Sequence, residues 1–180
     1  DMPGEFVREN ASLALVAADS GLGRLRPGVW FDIDAADAAV HACAESESRH
    51  GRLELTNNEP QELRDAAHNP DAARALSAAV DELAEGRPVT LLVAMLEDKP
   101  IDETLVELLR MLPEDGAVVC TAASNPRSVP AGQLGERVRA LVGERVRVEA
   151  VEGPIAALAR AREVAGPDGL LSVTGSNYLI

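Results

Sequence analysis

The chain has 180 residues, of which 46% are hydrophobic and 26% charged, a balance that suits one well-buried domain with a short segment to spare and excludes a disordered chain. Its net charge of −13 and pI near 4.6 repel phosphate backbones and anionic lipids over a Debye length, so neither nucleic acid nor a membrane surface is an expected partner. Trp30, Tyr178, Phe6 and Phe31 build no stacking platform for bases, and the longest apolar run, residues 89–96 interrupted by Thr90, is too short to span a bilayer.

The predicted elements begin with a helix over 9–22, where Leu13, Val16 and Ala17 recur at helical spacing and Gly21 and Gly23 mark an end. A turn at 24–28 leads to an Ala-rich helix over 34–45. The polar stretch 45–50 reads as a linker, which divides the chain into residues 1–47 and one α/β domain over 48–180. That domain opens with extended segments at 52–56 and 60–65. A helix follows over 70–84, with Asn69 as its cap, Pro70 at the first position and Asp71 at the positive end of the dipole. From there strands (89–96, 117–121, 146–151, 170–174) alternate with helices (101–112, 132–142, 154–164). Short apolar strands joined by crossover helices predict a Rossmann-like, mostly parallel sheet with helices on both faces.

Several chemistries are absent from the pattern. A P-loop needs Gly-x4-Gly-Lys-Ser/Thr, whose lysine meets the transferred phosphate. The one lysine of the chain, Lys99, precedes Pro100 and has no glycine loop before it. The dinucleotide fingerprint fails too, because Gly21-Leu22-Gly23 ends a helix and Arg26 stands where the third glycine belongs. His41, Cys43, His50 and His68 form no metal-ligand spacing, and no Gly-x-Ser-x-Gly elbow occurs. Cys43 and Cys120 are unpatterned, which fits a reducing cytoplasm. The chain starts at Asp1 with no basic-then-apolar leader, and reads as a fragment or a processed form.

What remains is a set of short motifs. Asp65-Ala66-Ala67-His68-Asn69-Pro70 places an acidic residue at a strand end, where ligands of open α/β sheets bind. Its carboxylate has two readings, a ribose ligand or the organiser of a turn. Lys99 is a phosphate or carboxylate partner, or a solvated loop charge. Arg127 is a carboxylate ligand or a structural loop arginine.

Together the motifs resemble the folylpolyglutamate synthase/dihydrofolate synthase family of the Mur ligase superfamily. Gly51-Arg52-Leu53-Glu54 followed by Asp65-Ala66-Ala67-His68-Asn69-Pro70 is similar to that family's Gly-Arg-Leu-Glu and Asp-Gly-Ala-His-Asn-Pro. Met95-Leu96-Glu97-Asp98-Lys99 resembles its Met-Leu-x-Asp-Lys, the stretch 125–130 its Pro-Arg-Ala-Leu-Pro loop, and the stretch 174–179 its terminal Thr-Gly-Ser-Leu-Tyr-Leu. Glu9-Asn10-Ala11, leading into Leu15, resembles the helix that closes the family's central domain.

The resemblance implies the C-terminal domain of an ATP-dependent amide ligase. ATP would phosphorylate a folate or pteroate carboxylate and the amine of glutamate would attack the acyl phosphate. The P-loop, the Mg2+ ligands and most of the folate site would lie in an N-terminal domain, so this chain alone would be inactive and carry no catalytic residue and no metal ligand. ATP contacts would fall on Asn10, Arg52 and Asp65. Contacts to glutamate or nucleotide would fall on His68, Lys99 and Arg127. Another amino-acid ligase of the superfamily, or a non-catalytic nucleotide- or protein-binding module, is the alternative. Two departures set structural expectations. Ala66 in place of the family's glycine demands a negative φ, and Arg64 in a buried strand demands a partner.

Overall fold

A computed structural model describes residues 5–29, 32–45, 50–56 and 58–180. The chain falls into two compact units, Asp1–Arg49 and His50–Ile180. The first holds α1 (Glu5–Leu25) and α2 (Ile33–Glu45). α1 runs on through Gly21 and Gly23, which were expected to end it. A glycine inside a helix costs about 1 kcal/mol and does not forbid it. α2 starts one residue earlier than expected, capped by Asp32, whose Oδ1 accepts the N–H groups of Asp34 and Ala35. Leu13, Val16, Leu25 and Ile33 are exposed. Residues 46–49 of the expected linker lie outside the described residues.

The second unit is a six-stranded sheet in the order β1-β2-β6-β3-β4-β5. Its strands are β1 (Glu54–Leu55), β2 (Gln61–Asp65), β3 (Val89–Val93), β4 (Ala117–Cys120), β5 (Arg147–Ala150) and β6 (Leu170–Thr174). β1 pairs antiparallel with β2, and all other pairs are parallel. The helices are α3 (Pro70–Ala84), α4 (Ile101–Leu108, continued as a 3₁₀ turn to Met111), α5 (Ala131–Val142) and α6 (Pro154–Ala165).

Handedness explains the layers. α3, α4 and α5 carry the chain from β2 through β3 and β4 to β5, and right-handed crossovers in one direction put them on one face. α6 returns the chain from β5 to β6, so the same rule puts it on the other face. There it packs Ala157, Ala161 and Ala165 on Leu92, Val119, Leu171 and Val173. α3 starts as the sequence predicts: Asn69 is extended, its side chain accepts the Ala72 N–H at 2.9 Å, and Pro70 follows.

The extended stretch expected at 52–56 shrinks to two paired residues. Gly51 at φ 65° and Leu53 at φ 48° take the left-handed region, which breaks a strand. The strand expected over 89–96 leaves the ladder at Val93, and the residues beyond it form a loop.

β2 departs from the apolar strands beside it. Leu63 is buried on the α3 side, but Glu62, on the α6 side, is also fully buried at 0% exposure. Arg64 finds the partner it needs there. Glu62 accepts hydrogen bonds from Arg64 Nη2 at 2.7 Å and from Arg162 Nε of α6 at 2.6 Å. Burial is the largest single influence and pushes the Glu62 carboxyl up, but the two guanidinium groups together outweigh it and hold it below its ordinary range.

This cluster yields a prediction. Glu62→Gln strands two arginines and should lower the unfolding free energy by about 1–3 kcal/mol, less than a fully buried pair because solvent screens the arginines. A depressed carboxylate stabilises above its unfolded value of 4.5 and loses that contribution as pH falls through the folded value. Urea unfolding at neutral pH and again in acid should therefore show the gap to wild type closing in acid. A gap independent of pH would mean that Glu62 acts through packing alone.

Candidate functional site

Four loops leave the carboxyl ends of neighbouring parallel strands β2, β6, β3 and β4, the place where open α/β sheets bind ligands. A cleft of ≈ 200 Å³ opens there, lined by His68, Asp98, Lys99, Arg127, Ser176 and Tyr178 among others. His68 comes from the β2 loop, Asp98 and Lys99 from the β3 loop, Arg127 from the β4 loop, and Ser176 and Tyr178 from the β6 loop. Three side chains singled out from the sequence, His68, Lys99 and Arg127, therefore meet in one cleft although up to 59 residues separate them along the chain.

Backbone contacts set the geometry. Gly175 has φ 100°, and a Cβ there would lie 2.2 Å from the Ala94 carbonyl oxygen, so only glycine lets the β6 loop cross this close to the β3 loop. Thr174 Oγ1 donates to the Ala67 carbonyl at 3.4 Å, tying β6 to the β2 loop. The β3 and β4 loops are joined by Glu97 N–H to Arg127 O and Val129 N–H to Met95 O, both 2.9 Å. Within the cleft Asp98 Oδ2 accepts from Arg127 Nη1 at 3.0 Å and lies 3.9 Å from Lys99 Nζ. His68 Nδ1 is 2.8 Å from the Ala66 carbonyl. A carbonyl only accepts, so Nδ1 carries the proton, and in the neutral ring Nε2 is left as an acceptor.

Asp65 and Arg52 stand apart from the cleft lining. Asp65 ends β2, and its Oδ2 accepts the Leu53 N–H at 3.0 Å, closing the turn in which Leu53 has φ 48°. Burial raises the Asp65 carboxyl above its ordinary value, against the N–H groups of Leu53 and Ala67 and the charges of Arg52 and His68. The turn-organising reading thus has a visible bond behind it. Arg52 is exposed beside Asp65. Asn10 is an exposed residue of α1, in the other unit. Ala66 avoids the left-handed region, as its Cβ requires, and its N–H donates to the Gly51 carbonyl at 2.8 Å.

The sequence reading passed over Asp98 and Ser176 as site residues. The Thr174-Gly175-Ser176 motif was a visible signal for the second. Asp98 had a signal as well, since it occupies the aspartate position of the Met95-Leu96-Glu97-Asp98-Lys99 motif. Among the described residues no group of three or more His, Cys, Asp or Glu is placed to hold a metal ion, and no helix is long and apolar enough to cross a membrane.

The family model of the Mur ligase, glutamate ligase domain, matches residues 51–177, which include all six strands of the sheet. The chain belongs to that family. A probable bifunctional folylpolyglutamate synthase/dihydropteroate synthase of Haloferax volcanii is 33% identical over 98% of this chain and 19% of its own length. A folylpolyglutamate synthase of Mycobacterium tuberculosis, solved with ADP and AMPPCP, superposes with TM-score 0.79 at 29% identity, covering 97% of this chain and 38% of the other. A bifunctional folylpolyglutamate synthase/dihydrofolate synthase of Yersinia pestis, solved with AMPPNP and a Mn ion, gives TM-score 0.61 at 28% identity over 81% of this chain and 36% of the other. The chain thus spans well under half the length of these relatives.

The bond from Leu53 makes a prediction about Asp65. Asp65→Ala leaves a buried N–H without its acceptor and should cost about 1–3 kcal/mol in chemical unfolding of this chain. Asp65→Asn should cost less, since its amide oxygen still accepts. A carboxyl raised by burial favours the fold below its unfolded value of 3.8 and loses that advantage as pH rises through the folded value. The Asp65→Asn deficit should therefore be smaller at pH 7 than in acid. A larger deficit at pH 7 would mean that the carboxylate's charge, rather than its oxygen, holds the turn.

Proposed function

We propose that this chain is the C-terminal, glutamate-placing part of an ATP-dependent amide ligase that adds glutamate to a folate or pteroate carboxylate. The observation that carries the reading is the convergence of His68, Lys99 and Arg127 in one cleft. Two permanent cations and a ring nitrogen able to accept suit the carboxylates and the amine of an amino acid, and the only lysine of an acidic chain is spent here. The family, and relatives named folylpolyglutamate synthases, support glutamate as that amino acid and folate or pteroate as its acceptor.

In this reading Arg52 pairs with phosphate and Asp65 accepts from ribose once the nucleotide arrives, and Asn10 is a further ATP contact of the parent ligase. The P-loop and the Mg2+ ligands belong to an N-terminal domain of the parent ligase, which is this chain's partner in catalysis. A divalent ion there would neutralise phosphate charge. Residues 1–47 are then the tail of the ATP-hydrolysing domain plus a linker, and the exposed Leu13 and Val16 of α1 are apolar surface that such a domain would cover. The cytoplasm is the proposed setting, on the strength of the unpatterned cysteines.

Two experiments test this. Purified alone, the chain should neither hydrolyse ATP nor form a glutamyl amide, since no P-loop is present. ATP turnover clearly above a boiled control would overturn the division of labour. In the parent ligase, Lys99→Ala and Arg127→Ala should each raise the KM for glutamate about tenfold to a hundredfold, the loss of one charge-assisted bond, with the KM for ATP nearly unchanged. Arg52→Ala should show the reverse pattern, and the exposed Glu136→Ala should change neither. Equal effects of Lys99→Ala on both constants would mean that the cleft serves the nucleotide.

A further inference from the structure

The cleft contains one acid among its cations, and that acid is already occupied. Asp98 Oδ2 meets Arg127 Nη1 at 3.0 Å and Lys99 Nζ at 3.9 Å. The two loops that carry these groups are locked by the Glu97–Arg127 and Met95–Val129 backbone bonds and by the Leu96–Ser128 bridge, so the three charges meet because the backbone holds them together. The Asp98 side chain is nevertheless 46% exposed, free to change rotamer.

The charge set has a chemical counterpart. Lys99 and Arg127 give two permanent cations and Asp98 one anion, while His68 turns its Nδ1–H to the Ala66 carbonyl. A dicarboxylic amino acid carries the mirror image, two carboxylates and one ammonium. A monocarboxylic amino acid would leave one cation unmatched. A dicarboxylic acid without an amine would match both cations but strand Asp98 beside two carboxylates, a like-charge contact that costs affinity.

We propose that Asp98 reads the ammonium of the incoming amino acid, and that until this ligand arrives it serves as an internal counter-ion for Lys99 and Arg127. The assignment deepens the reading of the cleft as an amino-acid site and rests on it. Binding exchanges partners: the ligand's carboxylates take Arg127 and Lys99, and the freed Asp98 takes the ammonium. Asp98 is then a positioning and specificity residue. It selects amino-bearing diacids and holds the nitrogen that must later attack.

The test compares L-glutamate with glutarate, which keeps both carboxylates and lacks the amine. Binding of each to the 180-residue chain is measured by saturation-transfer NMR, for wild type and for Asp98→Asn. Asparagine keeps an oxygen that accepts from Arg127, so the loops stay tied while the charge is lost, and Asp98→Ser is the second variant should the first unfold. Wild type should prefer glutamate. In Asp98→Asn that preference should fall about tenfold, as expected for a lost charged hydrogen bond, with glutamate binding more weakly and glutarate more tightly. A preference that changes by less than about threefold overturns the role of Asp98 while leaving the cleft an amino-acid site. A wild-type chain that binds neither acid overturns the cleft reading and this inference with it.

Discussion

The arrangement at the carboxyl edge depends on β6 being hydrogen-bonded on both sides, to β2 and to β3. The last strand of the chain fills the gap that the first parallel crossover leaves between its own two strands. It brings its loop, with Gly175 and Ser176, between the loops of His68 and Lys99. A strand added at the edge of the sheet would have left those two loops adjacent and the cleft without its Ser176 wall. The reversal also puts α6, alone among the described helices of its unit, on the second face.

That lone helix explains the polar character of β2. A face covered by one helix cannot seal six strands with alanines and valines, and towards β2 the seal is ionic. Glu62, fully buried, is held by Arg64 and by Arg162. Towards β5 a similar group forms from Glu149, Arg147 and Arg160, where the Arg160 bond pulls the Glu149 carboxyl below its ordinary range. Cys120, by contrast, sits in apolar surroundings that push its thiol up to about 12, which leaves it inert as a nucleophile.

Charge is distributed with the same economy. In a chain of net charge −13, several arginines are spent on ion pairs between elements, such as Arg74 with Glu107 and Arg137 with Asp102. The cleft is where cations gather with a single acid between them. A positive spot in an acidic surface focuses small anions and turns larger polyanions away. Asp65, one turn from this spot, uses its carboxylate to hold the Gly51–Leu53 turn, so the same motif shapes the backbone and offers a carboxylate beside Arg52.

Local rules read much of this from the sequence. Asn69 and Pro70 started α3 where capping chemistry said they would, because a cap needs only the next three residues. The strands 117–120 and 170–174 showed as short apolar runs, and alternation with helices implied a parallel sheet. Short motifs and their resemblance singled out His68, Lys99 and Arg127 one by one as candidates. Only the tertiary structure decided that these three share a cleft and that Asp98 joins them, since their meeting depends on strand order, which no local pattern encodes. The positive φ of Leu53 was equally hidden, because its N–H bonds to Asp65 twelve residues on. So was the partner of Glu62, an arginine a hundred residues away. Backbone propensity and capping act over a few residues, whereas a buried charge is settled by whichever opposite charge the fold brings within reach.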